Sequence, residues 1–164
     1  MKNVPEEVSG DFSDIYARSF HRVFRAAYLA GGDAGVAEDA AQEAFVRLLE
    51  RWSRLAGEPY VEGWLMTTAI NVVKRHRARS ILRRRREFGL TQADGATADA
   101  SLRLDVRDAL GRLSRRQQQV TVLYYYGGIP VREIASLLRC GEGTVKQHLS
   151  RAREALRTSL GEAT

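Results

Sequence analysis

Residues 131–149, VREIASLLRCGEGTVKQHL, restrict the fold more than any other stretch of the chain. Ile134, Ala135 and Leu138 recur at helical spacing, the four residues RCGE supply a turn, and Val145 and Leu149 resume the spacing beyond it. This is the spacing of a helix-turn-helix, in which two short helices cross and bury their apolar stripes together. Ala135 is small enough to let the second helix cross closely. The outer face of that second helix then stays free, and it carries Thr144, Lys146, Gln147, Ser150, Arg151 and Arg153.

Those side chains suit a DNA groove. Lys146 can reach guanine O6 or N7, Gln147 can pair with adenine, and Arg151 offers a two-pronged donor to guanine. Thr144, near the helix start, suits a phosphate, and Arg153 and Arg157 suit the backbone further along. A lone basic amphipathic helix is more often a solvated surface. The preceding helix and the tight turn favour a reader of duplex DNA.

Helical periodicity also runs through the front of the chain. Phe12, Ile15, Tyr16, Phe20, Val23, Phe24, Ala27 and Tyr28 share one face of a helix over 12–30, which GGDAG (31–35) ends. A second helix is expected over 36–55, with Ala37, Ala41, Ala44, Phe45, Leu48, Leu49 and Trp52 inward. Glu38 and Asp39 fall in its first turn and Arg51 and Arg54 in its last. A third, 61–80, presents Trp64, Leu65, Ala69, Val72 and Val73 to the same core. Both tryptophans lie on apolar stripes, so core positions are expected for them rather than stacking platforms. Residues 87–104 are poor in apolar side chains and read as a linker. Periodicity returns with Val106, Leu110 and Leu113, then Val120, Leu123, Tyr124 and Tyr126, before GGIP stops one helix and Pro130 opens the next. The expectation is an all-α fold of two small helical domains, 12–80 and 105–160, joined by a flexible linker, 81–104. The second is a helix-turn-helix of the winged-helix-like type.

Charge divides the chain in the same way. Residues 1–73 hold 7 Lys and Arg against 11 Asp and Glu, residues 74–86 hold 8 against none, and residues 111–164 hold 9 against 4. An acidic front and a basic hinge and tail imply two kinds of partner, one of them a polyanion. The single cysteine, Cys140, excludes an intramolecular disulfide and is expected as a small buried filler. The front lacks the apolar core of a secretory signal, and no run approaches the ~18 apolar residues of a membrane span. These features point to a soluble cytoplasmic protein with no membrane partner. His21, His76 and His148 show no metal-ligand spacing, and neither a phosphate-binding glycine loop nor a nucleophile elbow is present. No enzyme, metal or cofactor is expected.

EIASLLRCGEGTVKQHLSRAREAL resembles region 4, the C-terminal helix-turn-helix, of extracytoplasmic-function sigma factors of bacterial RNA polymerase, in the sigma-70 superfamily. AEDAAQEAFVRLLERW and EGWLMTTAINVVKRHRAR resemble the core of their region 2, and LSRRQQQVTVLYYYGGIPVREIA resembles the segment leading into the helix-turn-helix. The resemblance implies a factor that brings core polymerase to promoters, reading a −35 element through Thr144, Lys146, Gln147, Ser150, Arg151 and Arg153. It implies −10 recognition and melting through Asn71, Lys74 and Arg75, with a base-capturing loop near 53–60. It implies docking on the β′ coiled coil through Asp39, Gln42, Glu43 and Val46, and a second polymerase contact at the β flap. An anti-sigma factor is a further implied partner that no residue here identifies. The residues alone leave a stand-alone dimeric helix-turn-helix regulator open as the alternative.

Gln147 and Ser150 differ from many members of the family, and three further departures from its pattern stand out. Arg139 occupies a turn position often held by Gly, Pro130 stands where Ser or Thr commonly caps, and Arg83–Arg86 form an unusually basic tip. That tip reads equally as a phosphate contact and as a solvated run. An 18-residue linker averages ~23 Å as a coil, whereas two promoter elements lie ~70 Å apart. The free chain is therefore expected not to span a promoter unless polymerase holds it open.

Overall fold

The computed structural model describes residues 6–31, 33–88 and 101–161, and all regular structure among them is helical. Helix α1 spans Glu6–Gly31, α2 Ala34–Glu50, α3 Trp52–Leu55, α4 Val61–Phe88, α5 Ser101–Arg112 and α6 Arg115–Thr121. A π-helical stretch, Val122–Tyr126, continues α6, and α7 (Val131–Leu138) and α8 (Glu142–Gly161) complete the chain.

Several boundaries differ from the sequence expectation. Asp33 caps α2, its Oδ1 accepting the Val36 N–H at 2.8 Å, so the helix starts at Ala34. Glu38 and Asp39 consequently lie beyond the first turn, and Arg47 is the basic residue of the last. The expected 36–55 helix breaks at Arg51 (φ −112°, ψ 18°), and Trp52–Leu55 form a separate turn. Helix α4 runs through Arg83–Arg86 to Phe88 because no Gly or Pro interrupts it and Leu and Arg are strong helix formers. With α5 starting at Ser101, helix occupies both ends of the expected 81–104 linker, and residues 89–100 lie outside the described residues.

Helices α1, α2 and α4 enclose one core around Val23, Ala44, Phe45, Leu48, Leu65, Met66 and Ile70. Phe12, Tyr16 and Phe20 gather around Phe45, which meets Tyr16 edge-on with ring centroids 4.9 Å apart, and Trp52 meets Phe12. Both tryptophans are half-buried against this core rather than enclosed by it. Small residues let α1 and α4 approach closely: a Cβ at Gly31 would lie 2.1 Å from Val73 Cγ1.

The second half builds on α8. Helix α7 packs against it through Ile134, Ala135 and Leu138, while Leu110 of α5 and Leu113 just beyond its end cover Ala152. Because α5 uses that face, Val106 is turned outward and is 41% exposed. Tyr124, also expected inward, is exposed because the π-helical stretch rotates it away from Val122 and Leu123. Cys140 is half-buried, not enclosed.

The two halves share the core: Val120, Leu123, Ile129 and Ile134 belong to the same cluster as Val23 and Met66. Gly63 makes this contact possible. A Cβ there would lie 3.0 Å from both Glu133 Oε1 and Leu137 Cδ1 and 3.3 Å from Ile129 Cδ1. Arg22 adds a polar tie, pairing with Glu62 at 2.6 Å and donating to the Gly127 carbonyl at 3.1 Å. Arg107 of α5 donates to Tyr28 Oη on α1 at 2.9 Å.

Candidate nucleic-acid interface

The helix-turn-helix forms as its pattern predicts. Helix α7 ends in a Schellman motif, in which the Cys140 N–H donates to the Ala135 carbonyl at 3.0 Å and the Arg139 N–H to Ser136 at 3.3 Å. This closure requires a left-handed residue, and Arg139 supplies it at φ 52°, ψ 50°. Among the described residues it is the one non-glycine with positive φ, at a cost of about 1 kcal/mol relative to glycine. At the other end of α7, Pro130 occupies the cap without a side-chain hydrogen bond.

Val145, Leu149 and Ala152 bury one stripe of α8. Thr144, Lys146, Gln147, Ser150, Arg151 and Arg153 are all exposed on the remaining surface, together with Arg157. Thr144 and Lys146 lie in the first turns of the helix, the end a reading helix presents to bases. His148, at the edge of the buried stripe, has an unpartnered Nδ1. Burial lowers its pKa, and the neighbouring positive charges of Arg116 and Arg151 add to that shift.

A second set lies on the outer face of α2. Asp39, Gln42 and Val46 are exposed, Val46 to 56%. Glu43 beside them pairs with Arg47 one turn on and, at 3.8 Å, with Arg75 of α4. An exposed apolar side chain among acidic and amide groups suits a protein partner better than nucleic acid, which acidic residues repel.

The third set, on α4, is not free. Asn71 Oδ1 accepts a hydrogen bond from Gln119 Nε2 of α6 at 3.0 Å. Lys74 Nζ donates to the Arg115 carbonyl. Burial, then the positive charges of Arg116 and Arg115, lower the Lys74 pKa from 10.5 to about 8. Asn71 and Arg75 are exposed, and Lys74 is half-buried. Thus α6 sits over the helix expected at melted DNA and brings Arg115, Arg116 and Gln119, which sequence reasoning did not single out, beside it. Together with Arg47, Thr68 and Ala78, these six residues of α4 and α6 line a cleft of about 610 Å³. The loop near 53–60 is solvent-facing from Ala56 to Pro59 and turns at Gly57, whose φ is 77°.

Residues 15–86 match the family described as sigma-70 region 2, and residues 103–156 match sigma-70 region 4. The chain is 36% identical over 141 residues to the ECF RNA polymerase sigma factor SigL of Mycobacterium tuberculosis, covering 80% of this chain and 78% of that one. It is 32% identical over 169 residues to the RNA polymerase sigma factor CarQ of Myxococcus xanthus, covering 99% and 96%. In fold it is similar to the sigma factor RpoE of Bartonella quintana, solved in complex with the anti-sigma factor NepR. The TM-score is 0.79 at 21% identity, over 92% of this chain and 97% of that one.

Proposed function

Because this chain belongs to the extracytoplasmic-function group of sigma-70-family RNA polymerase sigma factors, we propose a division of labour among its residues. The factor directs core polymerase to promoters and initiates transcription there. One observation carries this: region 2 and region 4 matches occur in order on one chain. A stand-alone helix-turn-helix regulator leaves the first match without a role.

In our reading the two domains are 12–80 and 105–160. The exposed face of α8 enters the major groove of the −35 element, with Lys146, Gln147, Ser150 and Arg151 toward bases and Thr144 and Arg153 toward phosphates. Asp39, Gln42, Glu43 and Val46 dock on the β′ coiled coil, and the second half meets the β flap. Asn71, Lys74 and Arg75 track the melted −10 strand, and the loop near 53–60 holds an unstacked base. The chain supplies no catalysis, since the reaction belongs to polymerase. It acts in the cytoplasm; among the described residues no helix is long and apolar enough to cross a membrane. An anti-sigma factor is a partner in this reading, as NepR is for the Bartonella protein.

The closed packing adds a requirement. With Asn71 and Lys74 engaged by α6, the −10 helix must part from α6 before it takes DNA. Core polymerase, which grips both halves, provides the force. Promoter-specific run-off transcription with purified core polymerase tests the proposal. The expected result is a discrete transcript only with the factor present. If the protein shifts duplex DNA alone but leaves core polymerase promoter-blind, the proposal fails.

A further inference from the structure

The cleft between α4 and α6 is over-supplied with positive charge. Arg47, Lys74 and Arg75 enter from one half and Arg115 and Arg116 from the other. Glu43 answers Arg47 and Arg75. Among the described residues no carboxylate lies within ion-pair distance of Lys74, Arg115 or Arg116. Three cations from two separate elements thus converge with no counter-charge, and Lys74 is partly withdrawn from water besides. Thr68, Asn71 and Gln119 add neutral hydrogen-bonding groups to the wall. The volume, about 610 Å³, falls within the range of small-molecule sites and exceeds what a single monovalent ion needs.

We propose that this cleft binds a small oligophosphate anion, which bridges Lys74 on α4 to Arg115 and Arg116 on α6 and holds the two halves closed. Guanidinium groups match phosphate oxygens in pairs, and an ammonium adds a point charge between them. An anion binding only the closed arrangement shifts the population toward it in proportion to that differential affinity. The ligand would therefore act as a brake, keeping Asn71 and Lys74 away from DNA. That consequence rests on the −10 role proposed above; the binding itself does not.

The test is calorimetric titration of the free full-length chain with inorganic tripolyphosphate at constant ionic strength. The expected result is saturable binding of one anion per chain. In Arg115→Ala/Arg116→Ala, affinity should fall about ten-fold or more, with helicity by circular dichroism confirming that the variant folds. Gly63→Leu, which keeps all five cations but forces α7 off α4, should lose affinity to a similar extent. An absence of saturable heat, more than one anion per chain, or unchanged affinity in either variant overturns the proposal. A short single-stranded oligonucleotide forms the second arm. It should bind Gly63→Leu better than wild type; binding with the same dependence on Arg115 and Arg116 as tripolyphosphate would reassign the cleft to nucleic-acid backbone and overturn the proposal. Run-off transcription that stays promoter-specific in Asn71→Ala and Lys74→Ala would remove the −10 assignment and leave the calorimetry standing.

Discussion

Asn71 of α4 and Gln119 of α6 are joined side chain to side chain at 3.0 Å across 48 residues of sequence. One belongs to the set proposed for the melted strand and the other to the helix leading into the helix-turn-helix. While this bond holds, Asn71 Oδ1 is occupied. A hydrogen bond of this kind contributes about 1 kcal/mol net, small enough for polymerase binding to offset.

The packing of α7 on α4 depends on Gly63, where a side chain would press on Leu137 and Glu133. Gly63→Leu should weaken that contact by about 1–3 kcal/mol, while removing the helix penalty of an internal glycine. Small-angle scattering on the free chain should show a larger radius of gyration with helicity retained. An unchanged radius would show that the halves do not pack through this residue.

Lys74 makes the closed packing sensitive to alkaline pH. Its pKa is about 8 when closed, against an ordinary 10.5. The released form therefore takes up a proton as pH falls from about 10.5 to about 8, and the closed form loses relative stability over that window. Below about pH 8 the loss is complete and constant. Raising the pH from about 7.5 to about 9.5 should thus increase the closed fraction, read as fluorescence transfer between labels on α2 and α8. Tyr126, whose pKa burial raises, stays protonated over that range. Lys74→Gln should be more closed at neutral pH and show a flatter profile.

At the turn of the helix-turn-helix, Arg139→Gly should relieve the left-handed strain at φ 52°. A gain of about 1 kcal/mol is expected, seen as a higher Tm. A lower Tm would mean that the arginine side chain stabilises the turn by more than its backbone costs.

On the reading face, Arg151→Ala should relax sequence preference at one or two −35 positions, at a cost of ~1–3 kcal/mol. The measurement is holoenzyme affinity across a panel of −35 variants. A uniform loss across the panel would assign Arg151 to phosphate instead.

Local structure was largely legible in the sequence. The bounds of α7 fall where VREIASLL places them, and the outward face of α8 follows from Val145, Leu149 and Ala152 lying at helical spacing. Ser114 and Gln117 form a capping box that starts α6, a signal that the sequence reading did not use. Helix α4 extends to Phe88 because nothing in the arginine run stops a helix, although the linker was expected from residue 81. The contacts between halves were not legible. Bonds such as Lys74 to Arg115 or Arg22 to Gly127 join residues 41 and 105 positions apart. Polar pairs at such separations leave no period along the chain, so the covering of the proposed −10 residues emerges only in three dimensions.

The π-helical stretch at Val122–Tyr126 works as a phase shifter. The Gly127 N–H closes onto Val122, five residues back, at 2.9 Å, so the helix takes in one residue more than an α-turn would. That surplus turns Tyr124 and Tyr125 outward while Val122 and Leu123 stay in the core. It also sets the angle at which the chain enters Ile129 and α7. Point substitutions here alter what the tyrosines display to a partner. A one-residue deletion would instead rotate everything after it by about 100°, re-aiming the outer face of α8 without changing a single residue on it.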